Sequence, residues 1–514
     1  VSADAAARRR ITTDLDETLF VEAGAGTGKT TALVGRVVAL VEAGIPLREI
    51  AAITFTEAAA AELRHRLRDE LEQARRSADD GELVRRYEQA LDEADVAAIS
   101  TLHSFAQRVL REHPVEVGLP PRIEVADEVQ SQLAFARRWI DFLDTIVADP
   151  EMTRVVEWAY LLDIRIAGTL GASLEKVARL LDQSWDRLEG AAREPRELPV
   201  LDRAPLAAAV AAAQALDVAH ECSDPADRLA VHLGGLEADL DRLAAVLATG
   251  RDDDVLAALQ VEVKWTCSNG KQANWSDVVA ARALLTAVDV AVRDLRRVAV
   301  NAVLRIFASE LAQATLAAAR ARQEDGVLEF HDLLVLARRL LREHPRARAA
   351  LHERYRRLLV DEFQDTDPLQ VELAVLIAAG VGGEAAGDAE HPGPWQHTGT
   401  EPGRLFFVGD PKQSIYRFRR ADIRVFLEAR DRFAGAAPVH LTRSFRTEPT
   451  VLRWVNDVFG QIMDVEVEGR QPAYEPLEAA CAPDPDHDHR VLLLGGPHDR
   501  DEGLRAADLR ELEA

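Results

Sequence analysis

The chain has 514 residues, 47% hydrophobic and 29% charged, which is enough apolar material for roughly two to four domains. A disordered, collagen-like or disulfide-framework protein is thereby excluded. With 62 basic and 87 acidic residues the formal charge is −25, so any contact with nucleic acid has to come from a local groove and not from bulk charge.

Cys222, Cys267 and Cys481 lie far apart and are odd in number, which fits a reducing, cytoplasmic compartment. The first ten residues are polar and end in Arg8-Arg9-Arg10, unlike a signal peptide. No apolar run reaches the roughly 18 residues of a membrane span, so no membrane partner is expected. The charged helical pattern of residues 503–514 reads as a fragment, or a shortened reading frame, at the C-terminal side.

In chain order, short apolar strands are predicted at 19–22, 50–54 and 96–100. Between the first two, a helix over 30–41 carries Arg36 as its one charge; a helix so apolar all round is buried, as beside a parallel sheet. This alternation predicts a doubly wound α/β sheet. From about 126 to 324 the texture changes to Ala/Leu/Arg/Glu/Asp stretches such as 206–220, 228–249 and 277–321, which predict an all-α insertion domain. Trp139, Trp158, Trp185, Trp265 and Trp275 lie in it and read as core. Strands return at 358–361, 405–409 and 439–442. Residues 380–403 hold seven Gly and three Pro and read as a mobile surface loop.

Ala23-Gly24-Ala25-Gly26-Thr27-Gly28-Lys29-Thr30, followed by Thr31, joins a strand to a helix with the spacing of a phosphate loop. Glycines let backbone N–H groups turn inward on phosphates at a helix N-terminus. Lys29 can reach the β- and γ-phosphates, and the Thr30 hydroxyl can ligate Mg²⁺. Such a loop needs a carboxylate at a neighbouring strand end. Asp361 suits the metal, and Glu362 is placed to take a proton from the attacking water. Asp367 reads as a helix N-cap with Pro368 as the first helical residue.

At the third strand tip, Gln413 could sense the γ-phosphate or orient water. Beyond it Tyr416, Phe418 and Arg419 interleave rings and cations as in a single-strand platform. The tips carrying Phe55 and Thr56, and Thr101 and His103, are rich in the same groups, and ligands of doubly wound sheets gather at such ends. Either tip also reads as an N-cap beside a core phenylalanine. The cluster Cys481, His487 and His489 lies in a Pro/Asp-rich stretch and reads as plain loop.

Six ordered runs carry a family resemblance: VEAGAGTGKTT (21–31), ITFTEAAAAELRHRL (53–67), ISTLHSFAQRVLREHP (99–114), LLVDEFQDTDPLQ (358–370), FFVGDPKQSIYRFRRADI (406–423) and LTRSFRTEP (441–449). Together they resemble the UvrD/Rep-like branch of superfamily 1 DNA helicases, and within it the RecB and AddA motor subunits of helicase–nucleases. The resemblance implies a P-loop NTPase fold: a RecA-like parallel sheet (1–125 and 325–438) interrupted by the helical insertion (126–324), with the start of a second RecA-like domain at 439–514.

It further implies ATP and Mg²⁺ as cofactors, with residues 23–31 on the nucleotide and Thr30 and Asp361 on the metal. Lys29, Asp361, Glu362, Gln413 and Arg446 would be catalytic. Phe55, Thr56, Thr101, His103, Tyr416, Phe418 and Arg419 would lie on DNA. The implied partners are single-stranded and duplex DNA, with a nuclease or another helicase chain, and translocation would run 3′→5′.

Three departures stand out. Residues 1–16 lack the Gln with which the family reads adenine, Ser444 replaces the usual Asn before Phe445, and the later family motifs are absent from the 514 residues. The functional alternatives are an ATP-driven helicase or translocase, the motor of a helicase–nuclease, and a nucleotide-dependent DNA-binding module without turnover.

Overall fold

The computed structural model describes residues 3–166, 173–190, 193–380, 393–415, 421–435, 437–467 and 470–482. Among the described residues, the strands in chain order are β1 (Leu19–Ala23), β2 (Ile50–Thr54), β3 (Ala98–Thr101), β4 (Glu124–Val125), β5 (Val327–Leu328), β6 (Arg357–Val360), β7 (Leu405–Gly409), β8 (Val439–Leu441), β9 (Arg443–Ser444) and β10 (Glu478–Ala479). Six of them form one sheet in the order β3-β2-β6-β7-β1-β8, and every pairing is parallel. A P-loop NTPase requires such a sheet.

The chain divides into two compact units, Val1–Arg122 with Asp332–Ala514, and Ile123–His331. In the first unit, period-2 alternation separates two cores. Leu19, Val21, Ala23, Phe406 and Val408 pack with Leu33, Val37 and Leu40 of the helix Lys29–Glu42. Phe20 and Phe407 face the other way and join Phe363, Phe426 and Phe433 in an aromatic cluster with ring centroids 4.6–5.8 Å apart. Arg36 is buried on the helix, as its apolar surroundings predict, and stays satisfied by donating to the carbonyls of Ile11 (2.8 Å), Asp14 (3.3 Å) and Glu17 (3.0 Å). Burial, more than the nearby Arg357, pulls it down to about 10.

One boundary differs from the sequence reading. The pattern of residues 439–442 predicts the opening of a second α/β domain, yet β8 pairs with β1 (Val21 beside Val439, Ala23 beside Leu441) and forms the edge of the first sheet. A three-residue strand carries nothing in its own pattern that names its neighbour; long-range pairing decides. The 380–403 stretch also differs in part. Its described residues include Trp395 and Thr398, both buried, whose carbonyls accept from Arg432; residues 381–392 lie outside the described set.

Among its described residues, the second unit is helical apart from the paired β4 and β5. Its 48-residue helix Val278–Asp325 is N-capped by Asp277, which accepts from Val279 and Ala280 N–H, and stops at left-handed Gly326. The five tryptophans are all buried in this unit. Trp158 and Trp275 give their indole N–H to Asp253 (2.7 Å) and Asp227 (3.1 Å), as buried indoles need. Among the described residues, no helix is long and apolar enough to cross a membrane.

Candidate active site

The site grows from the C-terminal ends of β1, β6, β7 and β8. After Ala23 the chain turns through Gly26 (φ 73°) and Gly28 (φ 82°), left-handed conformations that a side chain would strain. Gly28 is the N-cap of the helix that Lys29 opens, so loop N–H groups and the positive helix end share one concavity. Thr27 is buried and ties the loop by donating from Oγ1 to the Gly24 carbonyl at 2.8 Å. Thr30 is half-buried, while Ala25 and Thr31 are exposed.

Lys29 Nζ stands 3.2 Å from Glu362 Oε2, so the phosphate loop and the end of β6 meet. Asp361 is buried, and its Oδ1 accepts from the Glu362 N–H at 2.9 Å. Burial, and then the Glu362 charge, push Asp361 up to about 6 against the opposing pull of Lys29. Asp365 rises to about 6 for the same two reasons, and its buried Oδ1 has no hydrogen-bond partner among the described residues. Asp367 caps the helix Pro368–Ala379 as the sequence predicts. Gln413 closes the short turn Pro411–Gln413 at the β7 tip and donates from Nε2 to Asp410 Oδ2 at 2.8 Å.

Arg446 reaches the phosphate loop from the β8 side. A Cβ at Gly26 would stand 2.7 Å from Arg446 Cβ and 2.8 Å from Ser444 Oγ. Phe445 N–H donates to the Gly26 carbonyl at 2.8 Å, and the Ser444 hydroxyl donates to the Ala25 carbonyl at 3.2 Å. Serine in place of the family's Asn therefore still fastens this segment to the loop.

Sequence reasoning passes over three neighbours of this loop. Phe445 is 54% exposed with the Arg8 guanidinium 5.1 Å from its ring centroid. Arg8 also donates to the Thr27 carbonyl at 2.8 Å and pairs with Asp4 at 2.7 Å. Leu477 packs so close that a Cβ at Gly24 would meet it at 2.5 Å. An arginine four residues after an acid on a first helix is a faint signal; that Leu477 returns to the loop is invisible in the sequence.

The remaining predicted residues divide. Phe55 and His103 are half-buried at the adjacent ends of β2 and β3. Thr56 caps the helix Glu57–Ser77 by accepting from Ala59 N–H. Thr101, read from the sequence as a DNA contact, already has local partners. It is buried, caps the helix Leu102–Glu112, and spends its hydroxyl proton on Glu57 Oε1 at 2.7 Å. Tyr416, Phe418, Arg419, His487 and His489 lie outside the described residues.

The family model for the UvrD/REP helicase N-terminal domain matches residues 4–434. The chain belongs to this helicase family. Its relatives include proteins named as subunits of an ATP-dependent helicase/nuclease. That of Desulforudis audaxviator is 29% identical across 87% of this chain and 39% of its own length. The Levilactobacillus brevis protein is 27% identical (96% and 42%), and the Geobacillus kaustophilus protein 28% (87% and 38%). The chain thus spans about two-fifths of the length of these relatives.

Proposed function

We propose that this chain is the nucleotide-hydrolysing part of an ATP-dependent DNA helicase or translocase, of the kind that drives a helicase–nuclease. The observation that carries the reading is the 3.2 Å contact of Lys29 with Glu362 beneath a loop whose Gly26 is crowded by Arg446. ATP would lie with its β- and γ-phosphates on the loop N–H groups and Lys29. Phe445 offers its exposed ring to the base.

The donor set suits Mg²⁺. Asp361 and Asp365 are buried acids raised by burial first and by the Glu362 charge second, one Asp365 oxygen lacks a partner among the described residues, and oxygen ligands are what this ion takes. Thr30 and Asp361 would hold the ion, which neutralises charge on the transferring phosphoryl group. Glu362 would take the proton of the attacking water, with Gln413 and Arg446 on the γ-phosphate.

Single-stranded DNA would cross the ends of β2 and β3 over Phe55, Thr56 and His103, continue to Tyr416, Phe418 and Arg419, and be tracked 3′→5′. The helical residues 126–324 are read as the insertion domain, residues 325–438 as the second half of the motor sheet, and the residues beyond β8 as leading toward the second motor domain. A nuclease or another helicase chain would be the partner, in the cytoplasm. The test is phosphate release from ATP by the 514-residue chain, with and without single-stranded DNA. Lys29→Ala should cost on the order of 10²-fold or more; a variant close to wild type rejects the site.

A further inference from the structure

Besides its 3.2 Å pair with Lys29, Glu362 needs a fixed orientation to serve as the base. It leaves β6 at φ 49°, a left-handed conformation uncommon for a residue with a Cβ, and its side chain is 35% exposed. Held by the Lys29 pair alone, such a base would sample several positions, and misplacement is costly in catalysis.

Gln364, two residues on, supplies the hold and is itself 2% exposed. Its Nε2 donates to Glu362 Oε2 at 2.7 Å, and its Oε1 accepts from the Asp410 N–H at 2.9 Å. Its carbonyl accepts from the Ser414 hydroxyl at 3.0 Å. Asp410 in turn accepts from Gln413 Nε2 at 2.8 Å and pairs with Lys412 at 3.1 Å. The amide fits because Gly409 has no side chain; a Cβ there would stand 2.6 Å from Gln364 Oε1. The bond to Asp410 N–H fixes the amide orientation, since only an acceptor serves there. A primary amide can donate to a carboxylate and accept from a peptide N–H at once; glutamate or lysine at this place would lose one of the two bonds.

Resting on the reading of Glu362 as the base and Gln413 as the γ-phosphate contact, we infer that Gln364 is a positioning residue. It fixes the Glu362 carboxylate and joins it through Asp410 to Gln413, so that phosphate contact and water activation form one hydrogen-bonded unit spanning the tips of β6 and β7.

Two substitutions test it in the full chain. Gln364→Met fills the slot without either bond; Gln364→Glu keeps the acceptor for Asp410 N–H and loses the donor to Glu362. Steady-state ATP hydrolysis with single-stranded DNA is read beside equilibrium binding of a non-hydrolysable ATP analogue. Both variants should lower kcat about tenfold or more, as loss of a hydrogen bond to a charged group predicts, with analogue affinity within about threefold. Gln364→Met added to Gln413→Ala should cost far less than it costs alone, because the unit is already broken.

An unchanged kcat in either variant overturns the inference. So do costs that multiply independently in the double variant, the result expected of a residue that only packs. If Gln364→Met fails to fold, Gln364→Glu carries the test, alone and combined with Gln413→Ala. The two readings separate cleanly. Wild-type hydrolysis by Glu362→Gln removes the base assignment itself, whereas loss in Glu362→Gln with normal Gln364 variants removes only the role of Gln364.

Discussion

The ends of β1, β6 and β7 and the ends of β2 and β3 lie along one edge of the same sheet, yet their charges are managed in opposite ways. At the first, Asp361 and Asp365 are pushed up to about 6, burial being the larger cause. Burial also raises Glu22 against the pull of His440, Arg430 and Lys412. Among the described residues, Asp365 Oδ1 and Glu22 Oε1 have no hydrogen-bond partner. At the second, Glu57 accepts from Ser104 (2.6 Å) and Thr101 (2.7 Å), and these bonds, Ser104 first, hold it below the ordinary carboxylate range. Thr56 and Thr101 are spent on helix caps. The one orphan there is a neutral hydroxyl, Ser100 Oγ, among the described residues. Scaffold satisfies its polar groups, and chemistry gathers where negative charge exceeds what the protein balances.

That contrast breaks first if Arg446 is idle. Arg446→Ala should lower single-turnover hydrolysis on the order of 10³-fold or more, the lower end of what an arginine that stabilises phosphoryl-transfer charge contributes. A rate near wild type would leave it as a surface residue beside Gly26. Next in size, Phe55→Ala should weaken single-stranded DNA binding about tenfold through lost stacking, read by fluorescence anisotropy at fixed salt. Unchanged affinity would make the β2 end scaffold throughout.

Two smaller effects should have opposite signs. The folded Glu22 carboxyl lies above its unfolded value, so wild-type stability is present at low pH and lost as pH rises through that folded value. Glu22→Gln should therefore stabilise the protein by about 1 kcal/mol at pH 8, a gain that vanishes near about pH 4. Arg430 keeps Asp431 and Glu466, and Lys412 keeps Asp410, so the substitution leaves neither cation alone. Thermal unfolding across pH reads this, and a loss at pH 8 would show that Glu22 is a net stabilising partner of its cations. Glu57 is the reverse case. Its depressed value gives stability above the unfolded range that is lost as pH falls through the folded one. Glu57→Ala should cost about 0.5 kcal/mol at pH 7, small because the group is exposed and screened.

Much of this is legible in sequence. The strands expected at 50–54 and 405–409 match β2 and β7 to the residue, because β-branched and aromatic runs between polar tips have few other readings. The Asp367 cap follows from Asp-Pro alone. What the sequence withholds is selection among neighbours. The run Asp361-Glu362-Phe363-Gln364-Asp365 offers three carboxylates and an amide. Only the left-handed turn at Glu362 decides that Asp365 is buried and that Gln364 reaches Asp410. Thr101 is ambiguous in sequence because a cap and a phosphate contact call for the same residue type, and the structure shows the cap. The second-domain boundary misleads because β8 is defined by its pairing with β1 and not by its own pattern.

The sharpest measurement is on Glu362→Gln, compared with wild type for ATP binding and for single-turnover hydrolysis in the same preparation. The substitution keeps the shape beside Lys29 and removes the base. If Glu362 activates the water, binding stays within a few-fold of wild type and hydrolysis falls by about 10²-fold or more. Hydrolysis at the wild-type rate, or binding and hydrolysis lost to the same degree, would contradict it.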